Sequence, residues 1–349
     1  MKPEDFRAAW RAAADSGLAG LCVPGRFGGG GLGAVDTAEA VEAAGRDAQD
    51  LGLVFGMMAH LLACAMPVAE FGSDELRAGV LPRLCSGEWI AGNAITEREA
   101  GSDTGKLSTT AVRTDDHYLL TGEKSFVSNA TVADVFVVYA VTDPALGYLG
   151  ISALLVERDS PGVTVGEPLP KLGLTGCPAA VVRFEDCPVP AANLIGREGS
   201  GAAVFRASMR WERTCLFAAY LGAMDGLLDR TVEHARSRRQ FGRPIGANQA
   251  VSHRLADLKV RVESARALLY RACAAMDRGE VGDLDVAMAK LAVSEAAVEV
   301  GLAAVQIFGA AGYAGAGSVD ALLRDAIGST IFSGTSEIQR ELIAKEMGL

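Results

Sequence analysis

The feature that most limits the fold of this chain is a change of sequence texture between about Ile90 and Gly196. Long Ala, Leu and Val segments on both sides have helical spacing, whereas the middle has short β-branched runs separated by Gly, Pro and Asp. These runs predict strands, with a hairpin turn at Asp115 and Asp116. The sequence therefore predicts an α+β multidomain protein, in the order helices, β domain, helices.

The predicted elements divide the chain into three domains, residues 1–89, 90–197 and 198–349. The strands are expected at residues 109–113, 117–121, 135–141, 151–156 and 180–184, and the later helices at 202–237, 249–279, 285–309 and 321–327. Helices of this length with short connections predict an antiparallel bundle. Because strands and helices do not alternate, the glycine-rich segment 309–317 is not a dinucleotide-binding fingerprint.

The net charge of -10 and the pI near 5.0 argue against nucleic acid as a partner, since phosphate binding needs clustered Lys and Arg. Seven cysteines without a CxxC pair indicate neither a zinc site nor a disulfide framework, and they fit a reducing cytoplasm. No signal peptide is recognisable. Two apolar stretches, 51–69 and 300–317, approach membrane-spanning length, but their polar residues and glycines predict buried helices instead of a membrane span.

Glu212 is the most informative single residue. On a helix it shares a face with Phe205, Ser208, Met209 and Leu216, so a carboxylate is aimed at an apolar interior. Such burial raises a carboxyl pKa toward the range of a general base at neutral pH. An ion pair with an arginine of a neighbouring helix, or a solvated helix start, explains the pattern equally well.

Four further segments have the composition of ligand loops. Residues 96–103 and 122–130 combine hydroxyls and small residues with one aromatic, Phe126, and residues 331–340 contain a Gly-Thr-Ser turn before a helix. Residues 236–249 concentrate four arginines in an acidic protein. Guanidinium groups bind phosphate in bidentate fashion, although pairing with exposed glutamates is the usual role of surface arginines.

Five segments in this order resemble the acyl-CoA dehydrogenase family over nearly the whole chain: TEREAGSD, GEKSFVSNA, RRQFGRPI, QIFGAAGY and GTSEIQR. The resemblance implies an N-terminal helical domain, a barrel-like central β domain and a C-terminal antiparallel four-helix bundle. It also implies one FAD per subunit in a homotetramer or homodimer. Relative to that family the chain begins late, as if one helix of about 35 residues were missing.

The resemblance also implies site residues. The flavin would be contacted from the β domain by Ile95, Thr96, Gly101, Ser102, Phe126 and Ser128, and from the C-terminal loop by Thr335 and Glu337. The FAD of a neighbouring subunit would be reached by Arg238, Gln240, Phe241, Gln249, Gln306 and Gly309. No metal ligand is expected.

Departures from the family pattern concern the catalytic base. Many members have a glutamate before the Gly-Thr of the C-terminal loop, where this chain has Ser333. The pKa of a serine hydroxyl is too high for it to lose its proton and act as a base without an activating partner. In a branch similar to isovaleryl-CoA and prolyl-carrier-protein dehydrogenases, the base precedes an arginine on a bundle helix. Glu212 followed by Arg213 matches that position. Arg98 and Glu99 replace the usual Pro-Gly of the first loop.

The expected activity is FAD-dependent α,β-dehydrogenation of an acyl thioester, with Glu212 removing the α proton. The thioester carrier is coenzyme A or a carrier protein of an assembly line in secondary metabolism. Electrons pass to an acceptor such as electron-transfer flavoprotein or to oxygen. Two alternatives remain, a flavin-dependent monooxygenase on the same scaffold and a non-catalytic scaffold subunit.

Overall fold

The computed structural model describes residues 3–48, 50–315 and 318–349, which form two compact units. The first contains residues 3–33, 55–171 and 176–212, and the second contains residues 34–54, 172–175 and 213–349. Each unit is assembled from separate stretches of sequence, so segments that are remote along the chain share a core.

A long apolar helical segment dominates the helices near the start of the chain. It consists of α3 (Leu51–His60), a π-helical turn (Leu61–Ala65) and α4 (Met66–Phe71). The other helices of the first unit are α1 (Pro3–Asp15), α5 (Asp74–Cys85) and α6 (Gly201–Trp211). The segment Leu51–Phe71 and the later helix Asp283–Phe308 are long and apolar enough to cross a membrane, but 89% of the apolar window in the first is buried inside the protein.

An eight-stranded sheet forms the rest of the first unit, in the order β6-β7-β3-β2-β4-β5-β8, with β1 paired to β4. The strands are β1 (Ala91–Ala94), β2 (Thr110–Arg113), β3 (His117–Ser128), β4 (Val135–Val141), β5 (Ile151–Glu157), β6 (Val163–Val165), β7 (Ala179–Pro190) and β8 (Leu194–Ile195). Alternate residues of β4, including Phe136 and Val138, join one apolar core. The β3–β7 register shifts between Lys124 and Val127, so a bulge interrupts β3 there.

Helices build the second unit. They are α2 (Ala34–Asp47), α7 (Phe217–Ser237), α8 (Gln249–Asp277), α9 (Asp283–Phe308), α10 (Ala310–Tyr313), α11 (Ala321–Ser329) and α12 (Ser336–Glu346). α2 and α7 approach closely at Gly222, where a Cβ atom would lie 1.9 Å from the Glu42 carbonyl oxygen. The Arg266 guanidinium of α8 binds the carboxylates of Glu42 and Asp225, which ties three helices together.

The predicted order of helices, sheet and helices is confirmed. The strand predicted at 135–141 has the observed limits, and the helix predicted at 249–279 ends at Asp277. The continuous helix predicted over 202–237 is wrong in one respect, because a π-helical turn (Glu212–Leu216) separates α6 from α7. The glycine-rich segment 309–317 contains α10, and its residues 316 and 317 lie outside the described residues.

Candidate active site

A buried ion pair fixes the end of β1 in the first unit. The Lys124 ammonium lies 2.7 Å from a Glu97 carboxylate oxygen and donates to the Ile95 carbonyl oxygen at 3.1 Å. The same carboxylate accepts hydrogen bonds from the backbone N–H groups of Ser108 and Thr109 at 2.7 and 3.0 Å. Burial by itself raises the pKa of Glu97, but the hydrogen bonds from Lys124, Ser108 and Thr109 outweigh it and lower this pKa to about 2. The first predicted flavin loop is therefore anchored by a charged, fully hydrogen-bonded carboxylate.

Phe126 is the most conspicuous residue beside that loop. It lies in the β3 bulge with φ 55°, a conformation that a bulky side chain rarely adopts, and its side chain is 69% exposed. The neighbouring Ser125 N–H donates to the Thr96 carbonyl oxygen at 2.8 Å. Of the six flavin contacts predicted in the β domain, Ile95 and Thr96 follow the end of β1, Phe126 and Ser128 lie in the last part of β3, and Gly101 and Ser102 lie in the exposed loop after β1.

These six residues fit the flavin part of FAD. A strained backbone persists where the surrounding structure holds it, and such positions cluster at ligand sites. Here it presents an aromatic ring to solvent beside a loop that ends in exposed Gly101 and Ser102. A flat ring system can pack on Phe126, while the hydroxyls of Thr96 and Ser128 offer hydrogen bonds to its polar edge.

The arginine hairpin, residues 239–244, carries two of the contacts predicted for a neighbouring subunit, Gln240 and Phe241. It consists of β9 (Arg239–Gln240) and β10 (Arg243–Pro244), joined by Phe241 and Gly242 with φ 51° and 79°. Positive φ at both central residues is the requirement of a type I′ turn. Phe241 is 100% exposed at the tip, and Gln240 and the preceding Arg238 are exposed as well.

Gln249, Gln306 and Gly309 lie near the same end of the second unit. Gln249 is the first residue of α8, and Gln306 and Gly309 lie at the end of α9. The His234 ring stacks on Phe308 with centroids 4.0 Å apart, so the ends of α7 and α9 are adjacent. The structure thus brings together, within one unit, the residues predicted to reach a second FAD.

Thr335 and Glu337 lie elsewhere in that unit. The Thr335 hydroxyl accepts a hydrogen bond from the Ile338 N–H at 3.3 Å and caps α12, and Glu337 lies exposed in its first turn. α12 is held on α9 by an ion pair between Arg340 and Glu295. Glu295 precedes Gln306 by eleven residues, which is about 16 Å along a helix. The structure therefore does not bring these two contacts together with the hairpin set.

The loop before α12 is tightly held. Arg213 Nε donates to the Ser333 carbonyl oxygen at 2.7 Å, and Gln339 Nε2 donates to the Gly334 carbonyl oxygen at 2.9 Å. Ser333 has φ 55° and Gly334 φ 87°. The φ of Gly334 is one that residues with a side chain rarely adopt, so this position favours glycine. The position where many family members carry the base therefore holds a serine in a fixed, strained backbone.

Glu212 is the last residue of the first unit and begins the π-helical turn. Its side chain is 7% exposed, and Ser208, one turn earlier on α6, is 1% exposed. Two groups outside α6 are close enough to Glu212 for its carboxylate charge to affect their pKa. Burial and then the Glu212 charge raise the pKa of Cys64. Burial, Cys64 and Glu212 raise the pKa of Tyr139. We call Glu212, Ser208, Tyr139 and Cys64 the base pocket.

Sequence reasoning missed three parts of this arrangement. Lys124 was expected only as a loop residue, and its neighbours Glu123 and Ser125 give no sign in the sequence that its ammonium is buried in an ion pair. Tyr139 was expected only as a residue of a strand. The π-helical turns at Leu61–Ala65 and Glu212–Leu216 left no sequence signal, yet such turns are frequent at functional sites.

Family models match three consecutive ranges of the chain. Residues 2–88 match the acyl-CoA dehydrogenase N-terminal domain, residues 92–187 the middle domain and residues 199–348 the C-terminal domain. The middle-domain match contains the flavin contacts predicted in the β domain. The C-terminal match contains Glu212 and the contacts predicted in the C-terminal loop.

Relatives of known function resemble the chain over almost its full length. It is 53% identical to an L-prolyl-[peptidyl-carrier protein] dehydrogenase of Pseudomonas fluorescens, over 97% of this chain and 90% of that protein. A solved FAD complex of PigA has a TM-score of 0.96 and 45% identity, covering 98% and 90% of the two chains. The solved prolyl acyl carrier protein oxidase AnaB has a TM-score of 0.96 and 43% identity, covering 98% and 91%. The chain therefore belongs to the acyl-CoA dehydrogenase family, whose members are FAD-dependent oxidoreductases that dehydrogenate acyl thioesters.

Proposed function

We propose that this enzyme dehydrogenates an L-prolyl group that is bound as a thioester to a peptidyl carrier protein. The observation that carries the proposal is the base pocket, in which Glu212 is buried beside two further polar groups, Tyr139 and Ser208. A pocket for a plain hydrocarbon chain has no use for buried hydroxyls, whereas a prolyl ring contains a nitrogen. The 53% identity to a prolyl-carrier-protein dehydrogenase supports the same substrate.

In the proposed reaction Glu212 is the catalytic base. The thioester carbonyl acidifies the α hydrogen, and the Glu212 carboxylate removes it as a proton. FAD, when bound, accepts the β hydrogen with its electron pair. Burial of Glu212 excludes water from the carboxylate, and the fixed helix before it keeps the base at one position relative to the acyl group.

FAD would be held by Ile95, Thr96, Gly101, Ser102, Phe126 and Ser128 from the first unit, and by Thr335 and Glu337 from the C-terminal loop. Arg238, Gln240, Phe241, Gln249, Gln306 and Gly309 would contact the FAD of another copy. The separation between these sets along α9 and the full exposure of Phe241 support this division. The enzyme would accordingly be a homotetramer or homodimer.

The proposal includes a cytoplasmic location, which seven buried cysteines without a CxxC pair support. Carrier-bound amino acids are substrates of assembly lines, so we also propose a role in secondary metabolism. The reduced cofactor would pass its electrons to oxygen or to an acceptor such as electron-transfer flavoprotein.

The test is anaerobic mixing of the FAD-loaded protein with a panel of thioesters. L-Prolyl carrier protein should bleach the flavin absorbance near 450 nm, whereas D-prolyl carrier protein and isovaleryl-CoA should not. Efficient bleaching by CoA esters, with none by prolyl carrier protein, would contradict the proposed carrier and acyl group.

The same preparation addresses the two alternatives. A monooxygenase would reduce its flavin with NADH in the absence of any thioester, and a scaffold subunit would purify without FAD. Neither behaviour is expected, because the buried carboxylate and the exposed aromatic platform are both present.

A further inference from the structure

Tyr139 has an unusual position for a buried tyrosine. It lies in the middle of β4 with no exposed surface, and its direct neighbours Val138 and Ala140 point into the apolar core of the sheet. Because strand residues alternate, Tyr139 points to the opposite face. There its ring meets Phe205 of α6 edge to face, with centroids 5.6 Å apart.

The Tyr139 hydroxyl finds no hydrogen-bond partner among the residues that the structure describes. Ser208 is close enough to the Tyr139 phenol to lower its pKa against the effect of burial, but it does not reach hydrogen-bond distance and angle, and its own hydroxyl donates to the Phe205 carbonyl oxygen at 2.8 Å. A buried hydroxyl without a partner costs about 1–3 kcal/mol. Buried polar groups in native proteins are nearly always paired, so an orphan hydroxyl in a pocket indicates a ligand that completes it.

This orphan hydroxyl lies against the face of α6 that carries the base. Phe205, Ser208 and Glu212 follow each other at helical spacings of three and four on α6, so a ring that packs on Phe205 lies against the face that carries Glu212. The interaction of the phenol with Glu212 and Cys64 agrees with that placement.

The acyl group that Glu212 deprotonates must therefore lie within reach of a phenol. An isovaleryl or butyryl chain would leave the hydroxyl unpaired. A prolyl ring, bonded through the carbon that Glu212 deprotonates, carries a nitrogen on that same carbon. Burial keeps the phenol protonated, so its O–H can donate to the lone pair that this nitrogen carries when the amine is neutral.

We propose that Tyr139 is a specificity-determining residue whose hydroxyl donates a hydrogen bond to the ring nitrogen of the prolyl substrate. The inference rests on the proposed function and adds the residue that distinguishes a prolyl group from a carbocyclic group of the same shape. Sites that hydrogen-bond a substrate group discriminate strongly against analogues without it, because the site is then left with an unpaired polar group.

The test compares two substrates on wild-type protein and on Tyr139→Phe. One substrate is L-prolyl carrier protein, and the other is cyclopentanecarbonyl carrier protein, which has the same ring without nitrogen. For each protein, the rate of anaerobic flavin bleaching is divided by the substrate concentration, and the ratio of the two values gives the preference for prolyl over cyclopentanecarbonyl carrier protein. In Tyr139→Phe the rate with the prolyl substrate should fall about tenfold or more, and that with the cyclopentane substrate should stay constant or rise.

Tyr118→Phe is the matched control. Tyr118 is equally buried in the same sheet, but its hydroxyl is bound to Glu198 at 2.7 Å. This variant should lose stability and keep the wild-type preference. Tyr139→Phe should keep its FAD and should melt at the wild-type temperature or above, because it retains the ring and removes an unpaired hydroxyl.

The outcomes separate the two proposals. Wild-type protein that bleaches with prolyl carrier protein, combined with an equal loss on both substrates or no loss in Tyr139→Phe, would overturn the role of Tyr139 alone. Wild-type protein that bleaches with CoA esters and not with prolyl carrier protein would overturn the proposed function, and the role of Tyr139 with it.

Discussion

The base pocket of the first unit and the arginine hairpin of the second unit differ in the exposure of their side chains. Glu212 and Tyr139 are buried within one chain, and water is already excluded from them. Phe241 instead exposes its entire side chain at a strained turn. The first region is organised before any partner arrives, whereas the second leaves a large apolar side chain in water and therefore has the properties of a surface awaiting a partner. The comparison predicts that changes in the first region affect chemistry or folding, and that changes in the second affect cofactor retention.

The largest effect is expected from Glu212→Gln. The amide keeps the shape of the side chain but cannot take up the α proton, so flavin bleaching by substrate should slow by about 10³-fold or more. FAD content, measured from the absorbance of the purified protein, should stay at the wild-type level. Glu198→Gln, which changes a half-exposed carboxylate of the same unit, should leave bleaching intact. Normal bleaching in Glu212→Gln would mean that another group is the base.

The next largest effect concerns the Lys124–Glu97 ion pair at the first predicted flavin loop. Lys124→Met leaves the Glu97 carboxylate buried without its cation, and breaking a buried pair in this way costs about 3–5 kcal/mol. The free energy of unfolding, measured in urea, should fall by that amount, and the apoprotein should bind FAD more weakly because the Ile95 carbonyl is released.

Lys106→Met is the control for Lys124→Met. Lys106 pairs with Asp103 at 2.9 Å in the same loop region, but the side chains are 76% and 57% exposed. Exposed pairs contribute little, so no measurable change is expected. The combination of Lys124→Met with Glu97→Gln should recover part of the lost stability, since neither charge then remains. Equal effects of Lys124→Met and Lys106→Met would show that burial does not distinguish the two pairs.

Buried His60 makes the first unit sensitive to acid. Its Nδ1 accepts from the Ala91 N–H at 2.9 Å, and its Nε2 lies 3.2 Å from the Leu84 carbonyl oxygen. Burial lowers the pKa of His60 to about 4, from an ordinary value of 6.5. In the unfolded chain, His60 therefore binds a proton as the pH falls below 6.5. In the folded protein it binds this proton only near pH 4. The resulting loss of stability amounts to about 3 kcal/mol across this window.

Urea unfolding at pH 7 and at pH 5 checks this prediction. Wild-type protein should lose about 2 kcal/mol between the two values from His60. His60→Asn should be less stable at pH 7 but should lack this part of the pH dependence. His117→Asn, which changes a half-buried histidine next to Asp116, should retain it. An identical pH dependence in wild type and His60→Asn would contradict the assignment.

The contrast between the two regions also separates what the sequence could reveal from what it could not. Strand β4 was predicted with its observed limits because its run of β-branched residues has no competing pattern. β1 was missed because Ala91–Ala94 contains only Ala, Gly and Asn, which have low strand propensity, and its pairing with β4 supplies the order instead. Tertiary pairing therefore decided this element.

The candidate site shows the same division. Glu212 stood out because one carboxylate interrupts an apolar helical face, and the structure confirms that it is buried. The role of Tyr139 could not be predicted, since a tyrosine in a strand is ordinary and its orphan hydroxyl appears only once Phe205 and Ser208 pack beside it. The π-helical turn at Glu212 also escapes prediction, because a single wider turn leaves the composition of the helix unchanged.

The smallest effect, and the one that tests the exposed side of the comparison, is expected from Phe241→Asn. Asparagine adopts positive φ readily and is favoured in type I′ turns, so the apoprotein should be as stable as wild type or slightly more stable. FAD affinity should nevertheless fall about tenfold, because the variant removes the aromatic contact that we propose a second copy supplies. Val260→Ser removes a 66% exposed apolar side chain from α8 and serves as the control, with FAD affinity unchanged.

FAD titration at two protein concentrations sharpens the result, since a site completed by another chain binds more tightly as the protein associates. If Phe241→Asn retained wild-type affinity at both concentrations, the hairpin would not be part of a shared cofactor site, and the exposure of Phe241 would need a different partner.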